Sequence, residues 1–341
     1  MVLIDALYVN NGGGKTMLDY LMSKLEEQKI DCFYLLDHRI EGDCCAIKSS
    51  NKVVFMKASL WSRYVFYKKN KNKFETIFCL ANIPPNIKMN GKTITYFHST
   101  FYIQLSTGNS LRSRIIIAFK KFVLNRFLKN SDYWFVQTEI MKKELQSKFS
   151  VKENKIVIKP FYPPTLNRTA GFKKIPFTYL YVSLGTVHKN HIRLIDAFCQ
   201  FYDRHGKGEL LLTLGADWPK LVNLTDEKVK LGYPIKNLGY IKREELLHYY
   251  QTSEFLIFPS LTESFGLGLV EGIENECKVI AANLPYTFAV CKPSIVFNPY
   301  SVESIVSGLE QTLKTNIEKS ETVIIDTVDE IIQLLNQPMY G

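Results

Sequence analysis

Residues 258–276, FPSLTESFGLGLVEGIENE, limit what this chain can fold into more than any other stretch. They follow the run Glu254-Phe255-Leu256-Ile257-Phe258, short and apolar enough for one buried strand. Pro259 has no N–H to donate, so the strand ladder stops there. Gly266 and Gly268 allow close backbone approach, and residues 269–276 have the composition of a helix opening just beyond them. Strand, glycine-bearing loop and helix start together make an anion site, because free N–H groups and the positive end of the helix dipole point the same way. Two carboxylates bracket the loop, Glu263 before it and Glu271 inside the helix. They suit one of two roles: acceptors for sugar hydroxyls beside a bound phosphate, or an ordinary first-turn acid and a solvated loop residue.

Seven residues separate the two carboxylates: Ser264, Phe265, Gly266, Leu267, Gly268, Leu269 and Val270. This spacing resembles the E-x7-E signature of retaining glycosyltransferases of the GT-B fold, family 4. The resemblance implies that Glu263 contacts the donor sugar and acts in catalysis, and that Glu271 binds the ribose of the nucleotide. It also implies that amides of Ser264, Phe265, Gly266 and Leu267 meet the diphosphate. Many members carry proline where Gly268 stands, a departure that leaves both carboxylates in place.

A chain of 341 residues, 46% of them apolar, has the size of about two domains with a core each. The prolines of Lys159-Pro160-Phe161-Tyr162-Pro163-Pro164 can continue neither a central strand nor a helix, so the boundary is set there. The expected domains are residues 1–165 and 166–320, followed by a C-terminal helix in 321–341. Seven cysteines (32, 44, 45, 79, 199, 277 and 291) show no C-x-x-C and no ligand spacing, as in a reducing cytosol. No apolar run reaches the ~18 residues that span a bilayer, and Asp5 comes too early for a signal peptide. The net charge of +10 is uneven. Residues 1–165 hold 26 Lys and Arg against 13 Asp and Glu, whereas 166–341 hold 17 against 20. The first half alone therefore suits an anionic partner.

The chain opens with a strand over 2–9, then a loop, Asn10-Asn11-Gly12-Gly13-Gly14-Lys15-Thr16, and a helix with Met17, Leu18, Leu21, Met22 and Leu25 at helical spacing. Gly-Lys-Thr also suggests a phosphate-binding P-loop, but Val9 occupies the position of the first Walker glycine. Family members have a glycine-rich first loop near donor and acceptor, which assigns Gly13 and Gly14 to donor binding. Residues 32–36, 53–56, 76–80, 93–97 and 133–137 read as further short strands among helical segments, the pattern of a parallel sheet. His98 follows one of them, where strand ends line the crevice of an open α/β sheet. It is either a structural histidine or, by the resemblance, a group close to the donor sugar. Residues 111–129 read as a helix whose basic residues do not gather on one face, a domain helix with basic rims rather than a surface-lying one. A second basic-aromatic stretch runs from Trp61 to Lys73.

The second half begins with a strand over 178–183 and the turn Gly185-Thr186-Val187-His188-Lys189-Asn190-His191. Lys189 is placed there as a point charge for phosphate, and Lys189 with Asn190 resembles the family's diphosphate-binding segment. The Arg that many members place upstream is missing. Tyr240, in Asn237-Leu-Gly239-Tyr240-Ile241, matches the segment that frames the base and is a stacking candidate. His188 and His191 could pair on a metal, but nothing else at ligand spacing joins them.

The resemblance thus implies two Rossmann-like domains with parallel sheets facing a central cleft. The implied reaction moves a hexosyl group from a UDP- or GDP-linked sugar, with retention, to a glycan acceptor. That acceptor would be lipid-linked, as in O-antigen or capsule synthesis, at the inner face of the plasma membrane. No cofactor or metal is expected: no Asp-x-Asp occurs in the chain. The other classes in play are a P-loop NTPase, a nucleic-acid binder using the basic half, and a non-catalytic glycosyltransferase-like subunit. Nucleic acid is not the expected partner; an anionic membrane surface is.

Overall fold

Alternating strands and helices build two parallel sheets. The structure is a computed structural model that describes all residues except 44–46, 49, 99–110, 166–171 and 338–341, and only the backbone of 111–114. The chain divides into two units, Met1–Pro163 with Ile325–Gly341, and Pro164–Ile324.

The first unit runs β1 (Val2–Ala6), α1 (Gly12–Glu27), β2 (Cys32–Asp37), β3 (Lys52–Met56), α2 (Leu60–Lys69), β4 (Thr76–Cys79), β5 (Lys92–Phe97), α3 (Leu111–Phe127), β6 (Tyr133–Val136), α4 (Glu139–Phe149) and β7 (Ile156–Ile158). Its sheet has the order β3-β2-β1-β4-β5-β6-β7, and every neighbouring pair is parallel. Crossover helices cover both faces of such a sheet, which is why β1 and β2 are buried along their whole length. The first strand is shorter than its apolar run. Asp5 Oδ1 accepts the Leu7 N–H at 3.1 Å, and the Val9 N–H turns back to the Ala6 carbonyl at 2.9 Å. A buried side-chain acceptor thus ends the ladder before hydrophobicity does.

The second unit runs β8 (Ile175–Tyr181), α5 (His191–His205), β9 (Glu209–Leu212), α6 (Pro219–Lys230), β10 (Ile235–Asn237), α7 (Arg243–Thr252), β11 (Ser253–Phe258), α8 (Leu267–Glu274), β12 (Lys278–Ala282), α9 (Pro285–Val290), β13 (Cys291–Lys292), β14 (Ile295–Phe297), α10 (Val302–Gln311) and β15 (Glu321–Thr322). Its main sheet has the order β10-β9-β8-β11-β12-β14. Counted within the unit this is 3-2-1-4-5-6, the doubly wound order whose ligand crevice lies at the carboxyl ends of the strands where the order reverses. Those ends belong to β8 and β11. A Cβ on Gly272 would come within 2.7 Å of the Leu256 side chain, so α8 packs close against β11 only with glycine there. The chain then returns to the first unit as α11 (Val328–Asn336), whose Ile331, Ile332 and Leu335 join the α1 and β1 core.

Helix α3 departs from its sequence reading. Ile117, Val123 and Leu124 are buried, but Ile115, Ile116, Phe119 and Phe122 are 47–66% exposed. The helix therefore leaves an apolar stripe uncovered, which a count of basic residues by face did not show.

Among the described residues, one ion pair lies fully inside the first unit. Arg63 of α2 reaches Asp5 of β1 at 2.7 Å, and both side chains are 0% exposed. Burial works against the Arg63 charge, but the Asp5 carboxylate raises its pKa well above the usual value. Removing one partner of a buried pair strands the other charge and costs about 3–5 kcal/mol, whereas replacing both by apolar groups is often neutral. Asp5→Leu and Arg63→Met should each lower unfolding stability by about that much, and the double variant should recover most of it. Urea denaturation of the four proteins measures the coupling; additive losses would show that the two charges do not depend on each other.

Candidate active site

The candidate residues lie in both units. In the first, Gly12, Gly13 and Gly14 do not form a loop: they are the opening turn of α1. Gly12 has φ +58°, and Asn11 before it is extended and provides no side-chain cap. The helix starts at Gly12, five residues before the Met17 expected from the sequence, because the first turn leaves N–H groups unpaired and tolerates residues that the interior does not. Lys15, the lysine a phosphate loop would need, is held by Asp19 at 2.6 Å. His98 stands beside this turn: a Cβ on Gly14 would lie 3.6 Å from its Nε2. Its Nδ1 is buried without a hydrogen-bond partner among the described residues. Burial pushes the ring's pKa down to about 4, so His98 is neutral at physiological pH.

In the second unit, the loops after β8 and β11 are tied to each other. The Tyr181 hydroxyl donates to the Lys189 carbonyl at 2.7 Å and lies 3.2 Å from Ser260 Oγ. The Leu261 N–H donates to the His188 carbonyl at 2.7 Å. Asn190, in the left-handed region at φ +62°, donates its side-chain amide to the carbonyls of Pro259 and Pro299. It is 4% exposed, and its amide is spent on holding the loops. The reward of this arrangement is a close pair: Lys189 Nζ sits 2.5 Å from Glu263 Oε1, with the side chains 17% and 12% exposed.

Beyond Glu263 the chain reaches Gly266, the N-cap of α8, with φ +88°. No side chain caps this helix, so its first N–H groups are offered to whatever occupies the site. Phe265 is buried beneath the loop, while Ser264 and Leu267 are partly exposed. Glu271, 9% exposed, lies one turn in. Its Oε1 accepts from Arg243 at 3.2 Å and its Oε2 from the Tyr250 hydroxyl at 3.0 Å. Burial raises the Glu271 pKa, and Arg243 and Tyr250 oppose that shift. Glu271, Arg243, Tyr250, Leu246, Leu247 and Asn275 are among the residues lining a cavity of about 260 Å³. Tyr240 is 82% exposed on the loop after β10.

Arg243 and Tyr250 were missed in the sequence, although a signal existed. A basic residue at the first position of a helix opposes the dipole, so Arg243 there calls for a carboxylate partner. No arginine stands just upstream of Lys189, but Arg193, four residues downstream, donates to Asn190 Oδ1 at 2.8 Å. His191 Nε2 pairs with Ser183 Oγ at 3.1 Å, and burial with nearby Lys189 holds its pKa at about 3. Among the described residues no three His, Cys, Asp or Glu side chains gather as a metal site.

The arrangement can hold a diphosphate between Lys189 and the α8 N-terminus while carboxylates on either side accept hydroxyls. Residues 165–327 match the family of glycosyl transferases group 1. The alpha-monoglucosyldiacylglycerol synthase of Acholeplasma laidlawii is 27% identical over a match covering 46% of this chain and 42% of that protein, so less than half of the relative's length is spanned. The structure resembles sucrose-phosphate synthase from Thermosynechococcus elongatus at a TM-score of 0.71 and 16% identity, covering 92% of this chain and 89% of that one. It also resembles Anabaena HepE in complex with UDP-glucose, at a TM-score of 0.67 and 12% identity, over 92% and 89% of the two chains. The chain has the GT-B fold, and the stretch that matches the glycosyl transferases group 1 family covers nearly all of its second unit.

Proposed function

We propose that the protein is a retaining glycosyltransferase that moves a hexosyl group from a UDP- or GDP-linked donor to a lipid-linked glycan acceptor in the synthesis of a surface polysaccharide such as O-antigen or capsule. The observation that carries this reading is the pairing of Lys189 with Glu263 beside the uncapped N-terminus of α8, with Glu271 one turn on. Donor binding exchanges partners: Lys189 turns from Glu263 to the diphosphate, and Glu263 is released to accept hydroxyls of the donor sugar. Glu271 accepts the ribose hydroxyls, Tyr240 stacks on the base, and His98 offers a neutral ring to the sugar. As the donor bond breaks, charge gathers on the leaving phosphate, and Lys189 and the amides around Gly266 stabilise it most at that point. The departing phosphate takes the acceptor proton on the same face, which preserves the anomeric configuration. The HepE complex supports a nucleotide-sugar donor, and the synthase's name, which joins glucose to a diacylglycerol, supports a lipid acceptor.

An anionic membrane surface is the natural place for that acceptor. Trp61 is 73% and Val65 47% exposed on α2, with Lys68 and Lys69 beside them, and α3 adds its apolar stripe and Arg126. The attachment we propose is peripheral, at the inner face of the plasma membrane; among the described residues no helix is long and apolar enough to cross a membrane.

The direct test is a thermal-shift screen of UDP, GDP and their sugars, since a ligand at 100 times its dissociation constant adds about 2.7 kcal/mol to apparent stability. Glu271→Ala should weaken the selected donor by about 1.5–3 kcal/mol, and Lys189→Ala should chiefly lower kcat. Wild-type kinetics in both would end the assignment.

Turnover should also persist in EDTA, because helix dipole and Lys189 supply positive charge where an Asp-x-Asp metal bridge is missing. Loss in EDTA with rescue by manganese or magnesium would contradict this.

Liposome cosedimentation tests the membrane arm. Each basic residue near an anionic surface is worth about 1 kcal/mol. Binding should therefore require anionic lipid, weaken with salt, and fall when Lys68, Lys69, Lys121 and Arg126 become Glu. Equal binding to neutral liposomes would refute it.

A further inference from the structure

The buried charge pair of the first unit reaches further than its own stability. Asp5 stands at the end of β1, and in the sheet β1 lies next to β4, which lies next to β5. Arg63 comes in from α2 and bonds the exits of the first two. Its Nε donates to Asp5 Oδ2 at 2.8 Å, while Asp5 Oδ1 shapes the β1 exit through Leu7. Its Nη1 and Nη2 donate to the Pro84 and Ile83 carbonyls at 2.6 and 2.8 Å, in the loop that leaves β4. The rings of Tyr8 and Tyr67 flank the guanidinium at 5.8 and 5.3 Å, and Tyr67 also donates to Asp5. The residue before those two carbonyls is Asn82, 8% exposed and left-handed at φ +66°. Its Oδ1 accepts the backbone N–H of His98 at 2.6 Å, at the exit of β5.

An arginine forked between two carbonyls and a carboxylate fixes geometry in a way that an apolar residue of the same size does not. Lysine carries the charge but not the planar fork. We propose that Arg63 is a positioning residue for the donor side of the first unit. Through Asp5 it sets the β1 exit that leads to Gly13 and Gly14, and through Ile83, Pro84 and Asn82 it sets His98. This rests on the reading of His98 as a group that meets the donor sugar. It adds a buried device, outside the crevice, that holds His98 and the glycine turn in register.

The test follows His98 by the ring Hε1–Cε1 signals of the full chain, six histidines in all, with His98→Gln assigning its signal. Asn82→Gly keeps the left-handed backbone and removes only the acceptor; Arg63→Lys keeps the charge and removes the fork. In both, the His98 signal should shift and titrate about one pH unit or more above the wild-type value of about 4, as the ring gains solvent. With the donor selected by the thermal-shift screen, kcat should fall about tenfold or more, while the Kd of the nucleoside diphosphate stays within about twofold. Asn82→Asp, which tolerates the same backbone and restores the acceptor, should regain most of the lost kcat. An unmoved His98 signal and wild-type kcat in Asn82→Gly overturn the proposal, even if Arg63→Lys fails to fold. Wild-type kcat in His98→Gln overturns the reading of His98 on which it rests, whatever Arg63 does.

Discussion

Lys189 and Glu263 neutralise each other at the mouth of two loops, and much of the second unit serves to hold them there. Neither charge is well solvated, so each needs a counter-charge, and an unpaired partner would be strongly unfavourable. The hydroxyl of Tyr181, the amide of Asn190 and the Leu261 to His188 bond fix the backbones of both loops, which leaves only the two side chains to rearrange. A diphosphate brings negative charge to this place. In the function proposed above it takes Lys189 over from Glu263 without desolvating a new cation, and the carboxylate so released turns to the sugar. On that proposal the ion pair is a preorganised stand-in for the ligand, and the uncapped α8 N-terminus adds donors that need no rearrangement.

The two units solve the same problem in different ways. Both are doubly wound parallel sheets whose candidate site residues stand at strand exits, which have no ladder to fix them. The second unit ties its exits by neutral hydrogen bonds from Tyr181, Asn190 and Tyr286. The first ties β1 and β4 through one buried guanidinium and reaches β5 through Asn82. Glycine serves a different purpose at each position: Gly272 lets α8 lie on β11, while Gly266 takes a backbone angle that other residues resist.

The strands and the helix that opens after Gly266 were legible because hydrophobic runs and glycines report local structure directly. Residues 254–258 read as a strand, and β11 occupies Ser253–Phe258. Partnerships across the chain were not legible. Nothing local in Arg63 says that it is buried against Asp5, 58 residues away. Asn190 looked like a ligand residue because it follows Lys189, but its amide belongs to two carbonyls of other loops. The glycines at 12–14 looked like a loop because glycine disfavours helix interiors, a rule that does not hold in a first turn. The exposed stripe of α3 escaped notice because periodicity shows which residues share a face, not whether anything covers it.

The partner exchange at Lys189 is the centre of this account, and one ratio measures it. Titration calorimetry gives the affinity of a nucleoside diphosphate relative to the monophosphate of the same base, in the wild type, in Lys189→Ala and in Glu263→Gln. If Lys189 leaves Glu263 for the diphosphate, Lys189→Ala should lower the ratio by about tenfold or more, equivalent to ~1.4 kcal/mol, and leave monophosphate affinity nearly unchanged. Glu263→Gln, which frees Lys189 beforehand, should raise the ratio. A ratio that stays the same in all three proteins would contradict the exchange.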